Sequence, residues 1–306
     1  MKRRTFAALA LVTLLAGCGG GEPAGKPSEP AGGNFPVTVE GAAGTVVLDQ
    51  KPTKIVSLSP TATEMLYAIG AGKQVAAVDD LSNYPKDAPV TKLSGFKPNA
   101  DAIAGYEPDL VVLSYDANKV VDSLKKLKIP VYVAPAATTL EDTYTQIEGL
   151  GKLTGRVAEA GALNDRMQAD IRKLTKDLPK RAKPLTYYYE LDPQLHSVTS
   201  KTFIGALLGQ VGMQNIADAA DKDGSGYPQL SAEYVLDANP DLVFLADTKC
   251  CAQSAATVAK RPGWDKLTAV RQQGVHALDD DIASRWGPRV VDLLRVVTEA
   301  AAKVPA

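Results

Sequence analysis

Histidine, cysteine and tryptophan are scarce in this chain, and neither sign of charge predominates. The 306 residues include two histidines, three cysteines and two tryptophans, and aromatic residues make up 6%. With two histidines, a zinc or manganese site built from several imidazoles is not expected. The balance of 34 basic and 35 acidic residues lacks the electrostatic footprint of a nucleic-acid binder. We therefore expect no resident metal or cofactor and no nucleic-acid partner.

The first 18 residues have the pattern of a bacterial export signal. Basic residues at positions 2–4 precede an apolar run that is too short to span a bilayer. The run ends in Leu-Ala-Gly-Cys18, which resembles the cleavage site of bacterial lipoproteins. We expect Cys18 to carry lipid, and residues 19–34, rich in glycine and proline, to form a flexible tether. The alternative is an ordinary signal peptide with a chance cysteine.

The other two cysteines, Cys250 and Cys251, are adjacent. Outside the cytoplasm such a pair can form a vicinal disulfide. Its Cα atoms, about 3.8 Å apart, would be closer than the usual range of about 4.4–6.8 Å. The alternative is two buried thiols that pack as small hydrophobic groups. Both possibilities stay open from the sequence.

Two segments of the chain resemble each other. Residues 101–113 match residues 233–245, since each copy opens with an acid, Asp101 or Glu233, and has Pro-Asp-Leu-Val near its end. Each copy predicts a short helix, a turn at Pro-Asp and a strand, because a continuous apolar run suits a parallel strand covered on both faces. The repeat therefore predicts two α/β lobes, each with a parallel sheet.

A helical stretch separates the two copies. Apolar residues recur every three or four positions from Leu140 to Leu153, and again after Gly155 as far as Leu178. At about 1.5 Å per residue, the second part is long enough to run from one lobe to the other. We predict an N-terminal lobe over 35–153, a linking helix over 154–180 and a C-terminal lobe over 181–306.

Several short motifs follow one another in a distinctive order. They are Lys54-Ile-Val-Ser-Leu-Ser-Pro-Thr-Ala-Thr-Glu64, Asn83-Tyr84-Pro85, Pro108-Asp109-Leu, residues 150–155, Pro240-Asp241-Leu and Arg285-Trp286-Gly287-Pro288-Arg289. Together they resemble the cobalamin and ferric-siderophore substrate-binding lipoproteins of ABC importers, over about residues 37 to 302. The resemblance implies two Rossmann-like lobes joined by one long helix, with a ligand cleft between them.

The same resemblance implies a binding protein, not an enzyme. Such a protein is held by lipid at the outer face of the cell membrane and delivers its ligand, as a monomer, to a permease dimer with its ATPase. A corrinoid such as cobalamin is the favoured ligand, because anionic ferric siderophores usually require more arginine and lysine. A ferric siderophore or haem is the alternative. An exported hydrolase with His196 or His276 as base is less favoured, as is a zinc- or manganese-binding component.

The first strand is followed by a helix start. Ser59 suits the N-cap and Pro60 the first helical position, and Thr61 with Glu64 is an alternative capping box. This helix start should face the cleft, because open α/β sheets bind ligands at the carboxyl ends of their strands.

Large ligands with flat or apolar faces need aromatic platforms and a few placed polar groups. The resemblance puts Tyr227 at a ligand position of the cobalamin binders and Phe96 close to another. Arg285 is the candidate hydrogen-bond donor to the ligand, whereas Arg289 is expected to pair with acids. The complete set is Tyr84, Phe96 and Tyr115 in the first lobe and Tyr189, Tyr227, Arg285 and Trp286 in the second.

Asp101 and Glu233 occupy matching places in the two copies. In the family that the chain resembles, one acid on each lobe docks against arginines of the two-fold permease. The alternative is that each acid only favours its helix through the dipole, an effect of about 0.3–1 kcal/mol. Asp101 is shorter than the glutamate usual in that family.

Overall fold

The computed structural model describes residues 34–176 and 178–305. The expected signal peptide, Cys18 and the tether through residue 33 lie outside the described residues. Among the helices that are described, none is both long enough and apolar enough to cross a membrane.

The described chain begins with an antiparallel hairpin that the sequence did not lead us to expect. Its strands are β1 (Val37–Gly41) and β2 (Gly44–Leu48). Val39 and Val46 are buried, and the backbone N–H of Ala42 donates to the carbonyl of Val133. The hairpin therefore covers part of the lobe that follows.

The N-terminal lobe contains a four-stranded parallel sheet. Its strands lie in the spatial order β4-β3-β5-β6. Val, Ile and Leu make up most of these short strands, which are buried almost throughout, as a parallel sheet covered on both faces requires. The elements are β3 (Ile55–Leu58), α1 (Pro60–Ala68), β4 (Val75–Val78), α2 (Ala100–Ala104), β5 (Leu110–Leu113), α3 (Val120–Lys126) and β6 (Val131–Val133).

Two helices leave this lobe, α4 (Leu140–Thr154) and α5 (Val157–Lys176). Thr139 and Asp142 form a capping box that starts α4. Gly155 ends it with φ of 66°, a left-handed conformation that glycine adopts without penalty. Helix α5 lies within the predicted linking helix.

The C-terminal lobe repeats the topology of the first. Its sheet is again four-stranded and parallel, in the order β8-β7-β9-β10, so that the first and third strands are central in both lobes. The elements are β7 (Thr186–Glu190), α6 (Phe203–Gly209), β8 (Gln214–Asn215), α7 (Ala232–Ala238), β9 (Leu242–Leu245), α8 (Thr248–Cys251), α9 (Ala255–Ala259), α10 (Thr268–Arg271), β10 (Val275–Ala277), α11 (Asp280–Ala283) and α12 (Val290–Lys303).

The repeated Pro-Asp motif has the same role in each lobe. Asp109 accepts hydrogen bonds from the backbone N–H and the hydroxyl of Thr53, at 2.7 and 2.8 Å. Asp241 accepts the equivalent pair from Thr186, at 2.8 and 2.9 Å. Each aspartate thus ties the start of its own strand to the start of the neighbouring central strand. The predicted fold class and internal repeat are both confirmed.

Helix α5 packs against both α4 and α12. Its buried residues include Leu163, Met167 and Ile171, which belong to one hydrophobic core that also contains residues of both sheets. The two lobes therefore share a continuous apolar core along this helix.

Candidate functional site

A cavity of about 520 Å³ lies at the carboxyl edge of the N-terminal sheet. All four strands of that sheet contribute a residue that follows them: Ser59 after β3, Asp79 after β4, Ser114 after β5 and Pro135 after β6. Residues 281 and 284–286 of the C-terminal lobe complete the wall. The cavity therefore lies between the lobes, at the edge where open α/β sheets bind ligands.

The start of helix α1 forms one side of this cavity. Ser59 is the N-cap, and its hydroxyl accepts a hydrogen bond from the N–H of Ala62 at 3.3 Å. Pro60 occupies the first turn, where its missing N–H costs nothing. These two assignments agree with the sequence. The alternative box of Thr61 with Glu64 is wrong, because the carboxylate of Glu64 binds two arginines instead.

Two aromatic side chains line the cavity without being buried in the core. Phe96 is 66% exposed and Tyr115 is 43% exposed, and their ring centroids lie 6.5 Å apart. Phe96 follows Gly95, where a Cβ atom would lie 2.8 Å from Oδ2 of Asp79 and 3.0 Å from the carbonyl oxygen of Leu58. Only glycine fits this close approach, which brings the Phe96 loop against the strand ends.

Asp79 is a buried carboxyl group at the cavity wall that the sequence reasoning missed. It lies directly after β4 and accepts a hydrogen bond from the hydroxyl of Ser82. Burial raises the pKa of Asp79, although the bond from Ser82 opposes the shift. Its position directly after a buried strand is the sequence signal that could have identified it.

An ion cluster joins the two lobes beside the cavity. Glu64 of α1 is 3% exposed. Nη1 of Arg285 donates to Oε1 of Glu64 at 2.8 Å, and Nε of Arg289 donates to Oε2 at 2.8 Å. For Arg289, burial alone would lower the pKa, but the hydrogen bond and charge of Glu64 raise it overall. The expectation that Arg289 pairs with acids agrees with the structure, and Arg285 shares its partner.

Arg285 has two further acceptors. Its Nη2 donates to the carbonyl oxygen of Leu81 at 3.0 Å and to Oδ1 of Asp281 at 2.9 Å. Burial disfavours the charged form of Asp281, but bonds from Lys249 and Asn83 and the charge of Arg285 lower its pKa overall. Arg285 therefore lines the cavity with its guanidinium already engaged.

Trp286 lines the cavity and is held by the first lobe. Its indole N–H donates to Oε1 of Gln146 at 2.9 Å, and its carbonyl accepts from the hydroxyl of Thr143 at 2.9 Å. Both partners lie on α4. The loop from Arg285 to Arg289 thus crosses from the C-terminal lobe onto α1 and α4, a contact that no sequence pattern indicated.

The other predicted aromatic residues lie outside the cavity wall. Tyr84 is exposed, and the guanidinium of Arg289 stacks 4.2 Å from its ring centroid. Tyr227 is also exposed, in the loop before Pro228. Tyr189 was placed wrongly, because it lies inside β7, is 0% exposed and donates its hydroxyl to the carbonyl of Ala283 at 3.1 Å. It belongs to the core.

Cys250 and Cys251 form a disulfide within α8. Cys250 is exposed, so the alternative of two buried thiols is wrong. Neither cysteine is part of the cavity wall described above.

Asp101 and Glu233 are exposed and occupy the second position of α2 and α7. Backbone and side-chain hydrogen bonds at the helix start, the latter from Ser231, lower the pKa of Glu233. Their matching places in the two lobes agree with the repeat, and the docking role stays a prediction.

His196, considered as a base for hydrolysis, has an acid partner that the sequence did not reveal. Its Nδ1 lies 2.8 Å from Oδ2 of Asp192. Neither His196 nor His276 is among the residues that line the cavity. Within the described residues, no cluster of three or more histidine, cysteine and acidic groups could hold a metal ion.

Comparison with known proteins agrees with this geometry. The sequence profile of the periplasmic binding proteins matches residues 55–282. An uncharacterized ABC transporter substrate-binding lipoprotein of Bacillus subtilis, YvrC, is 31% identical, over 98% of each chain. A cobalamin-binding protein of Halobacterium salinarum is 30% identical, over 95% of this chain and 83% of its own length.

Solved structures show the same architecture. A possible iron-binding (periplasmic solute-binding) protein of Staphylococcus epidermidis superposes with a TM-score of 0.71 at 27% identity. The match covers 82% of this chain and 99% of that one.

Proposed function

Because this chain belongs to the periplasmic binding protein family, we propose that it is the extracytoplasmic substrate-binding component of an ABC importer. It captures a corrinoid, cobalamin or a close relative, and passes it to a permease dimer coupled to an ATPase. We propose a binding role without catalysis, in keeping with the names of its relatives.

The charge of the cavity wall carries the choice of ligand. Asp79, Asp281 and Arg285 are its charged residues, and Arg285 already donates to Glu64, Leu81 and Asp281. A polyanionic ligand is normally held by arginine or lysine donors that it can engage itself. This wall suits a ligand whose polar groups are mainly neutral amides, as in a corrinoid, better than a chelate rich in carboxylates.

The exposed pair of Phe96 and Tyr115 supports the same choice. Aromatic faces that remain open to a cavity give a large apolar contact at little cost in side-chain entropy. A volume of about 520 Å³ lies within the range of about 300–1,000 Å³ typical of ligand pockets. A corrinoid would place part of its macrocycle there and extend beyond the cavity, where Tyr227 stays a candidate contact.

Equilibrium binding of cyanocobalamin by calorimetry tests the proposal. We expect Phe96→Ala and Tyr115→Ala each to weaken binding by about 1–2 kcal/mol, as central aromatic contacts do. Tyr106→Ala is the matched control, because Tyr106 is exposed but lies outside the cavity wall. Absence of cyanocobalamin binding, or equal losses in all three variants, would contradict the corrinoid assignment.

Haem is the alternative ligand, and Tyr115 allows a direct comparison. A phenolate can ligate haem iron, and Tyr115 brings a phenol to the cavity. Tyr115→Phe keeps the ring and removes the oxygen. If the natural ligand is a corrinoid, this variant should bind cyanocobalamin almost as well as the parent. A tight haem complex whose affinity and spectrum depend on the Tyr115 oxygen would favour haem instead.

The sequence pattern of residues 1–18 supports a proposal for where the protein acts in the cell. We propose that Cys18 carries lipid and holds the binding lobes at the outer face of the membrane, as the name of the Bacillus subtilis relative suggests. Asp101 and Glu233 would then each contact one half of the permease dimer.

A further inference from the structure

The disulfide between Cys250 and Cys251 has no part in the proposed ligand contacts. It lies in α8, a helix of only four residues. So short a helix is not stable by itself, because its first turn fixes several residues for few hydrogen bonds. What holds α8 therefore comes from its surroundings.

One carboxylate binds the free N–H groups at the N-terminal end of α8. Asp280 accepts from the backbone N–H groups of Thr248 and Lys249, both at 2.9 Å, and of Cys250 at 3.1 Å. Immediately after the disulfide, Ala252 has φ of 54°. This left-handed conformation is unfavourable for alanine and persists only when neighbouring structure imposes it.

The residue that precedes α8 has a buried carboxyl group. Asp247, its N-cap, is 0% exposed, and neither carboxylate oxygen has a hydrogen-bond partner among the described residues. The nearby carboxylate of Glu190 is already engaged by Arg261, in two bonds of 2.6 Å. The buried carboxyl group of Asp247 thus accepts no hydrogen bond from α8, which is held by Asp280, by the bond from the Thr248 hydroxyl to the carbonyl of Leu278 at 2.8 Å, and by the disulfide.

A chain of polar contacts joins α8 to the cavity. Nζ of Lys249, the residue before the disulfide, donates to Oδ1 of Asp279 at 2.8 Å and to Oδ2 of Asp281 at 2.7 Å. The other oxygen of Asp281 accepts from Arg285. Asp281 and Arg285 both line the cavity. A shift of α8 would therefore remove a cation from one cavity carboxylate and loosen the guanidinium beside it.

We propose that Cys250–Cys251 is a site of thiol–disulfide exchange with an external dithiol, and that its oxidation state sets the affinity of the cavity. Cys250 is exposed, so an attacking thiolate can reach the bond. The affinity part rests on the proposed function, whereas the exchange and its structural effect do not.

The exchange is a two-electron reaction. A thiolate of the dithiol attacks one cysteine sulfur, the bond between the two cysteine sulfurs breaks, and the released thiolate takes a proton. The second thiol of the dithiol then displaces the remaining cysteine. The dithiol ends as a disulfide, and the cysteines end as two thiols, having gained two electrons and two protons.

The test compares the full-length protein with and without dithiothreitol. Peptide mapping after alkylation counts the thiols at positions 250 and 251, while hydrogen exchange follows residues 279–286. We expect reduction to speed exchange in that segment about tenfold. We expect reduction to weaken cyanocobalamin binding about fivefold, which is at the low end of the affinity changes that one site typically causes at another.

Two variants show whether Lys249 transmits the effect. Lys249→Met should reproduce the effect of reduction while the disulfide remains intact, and Lys260→Met, a change at another exposed lysine of the same lobe, should not. A Cys250→Ser/Cys251→Ser double variant should behave as the reduced protein and ignore dithiothreitol.

Failure of this proposal and failure of the proposed function can be told apart. If reduction occurs but exchange in 279–286 is unchanged, or if the disulfide resists dithiothreitol in the folded protein, the redox proposal is wrong. If neither state binds cyanocobalamin, the ligand assignment is wrong, and hydrogen exchange alone then decides the redox proposal.

Discussion

Replacing Glu64 with alanine should cost this protein more stability than removing any exposed acid. Glu64 is 3% exposed and joins Arg285 and Arg289, so its loss leaves two guanidinium groups without their carboxylate in a largely buried site. Breaking such a pair by removing one partner typically costs about 3–5 kcal/mol. Because the free energy of unfolding of a folded domain is roughly 5–15 kcal/mol, the variant should still fold, but its urea unfolding midpoint should be much lower.

A surface pair supplies the matched control. Nζ of Lys54 lies 2.8 Å from Oε2 of Glu107, with side chains 47% and 81% exposed. An exposed pair of this kind contributes about 0–1 kcal/mol, so Glu107→Ala should change the unfolding free energy little. Urea unfolding followed by circular dichroism measures both variants. A Glu64→Ala loss no larger than that of Glu107→Ala would refute the inference that the cluster binds the lobes together.

The same variant should change ligand preference. Without Glu64, Arg285 keeps only Asp281 and the carbonyl of Leu81 as acceptors, and the cavity gains net positive charge. We expect Glu64→Ala to bind haem, which carries two carboxylates, more tightly relative to cyanocobalamin than the parent does. An unchanged ratio of the two affinities would show that Glu64 does not set the charge preference of the cavity.

Three further changes address the anchor, the permease and the effect of pH. Cys18→Ala should release the protein from the membrane fraction, and retention there would contradict the lipid anchor. Asp101→Ala with Glu233→Ala should leave ligand affinity intact and lower uptake into cells, so unchanged uptake would remove the docking role. Burial, reinforced by the charge of Glu190, raises the pKa of Asp247 to about 7, so the folded state binds more protons than the unfolded state between about pH 4 and 7. The unfolding free energy should therefore fall as pH rises through this window. Asp247→Asn should abolish that fall in urea titrations at pH 5 and pH 8, and an identical fall in the variant would contradict the assignment.

Local patterns in the sequence predicted the repeated lobes and the start of α1 well. Pro-Asp-Leu-Val carries its own turn and strand signal, and Ser59-Pro60 carries a cap signal. Side chains that act between distant segments were predicted poorly. Glu64 looked like a capping residue because its real partners lie more than 200 positions further along the chain.

The prediction that Tyr189 contacts the ligand was wrong for a related reason. Its position near a strand end suggested a loop, but β7 continues through Glu190, and the ring belongs to the core shared by both lobes, with its hydroxyl donating to the carbonyl of Ala283 in α11. The hairpin β1–β2 was missed although β1 alternates apolar and polar residues, because its five-residue strands are short and lie beside the predicted tether.

At equivalent positions in the sheets, the two lobes carry different residues where the cavity lies. In the sheets, Leu58 pairs with Leu113 as Glu190 pairs with Leu245, so Leu58 and Glu190 hold equivalent positions. Leu58 lines the cavity, whereas Glu190 is neutralised by Arg261 inside its own lobe.

The segments that follow β5 and β9, the second central strand of each lobe, differ in the same way. Tyr115 and Asp247 each lie two residues beyond the central strand that ends at Leu113 or Leu245. Tyr115 presents a partly exposed ring to the cavity, whereas Asp247 is buried at the start of α8. Identical topology therefore gives each lobe the same edge at its strand ends, and in the first lobe that edge opens into the cavity. In the second lobe, Arg261 donates two hydrogen bonds to Glu190 at this edge, and Asp247 is buried at the start of α8. Under the proposed function, the strand ends of the N-terminal lobe and residues 281 and 284–286 of the C-terminal lobe contact the ligand, whereas α8 at the strand ends of the C-terminal lobe is the proposed control element.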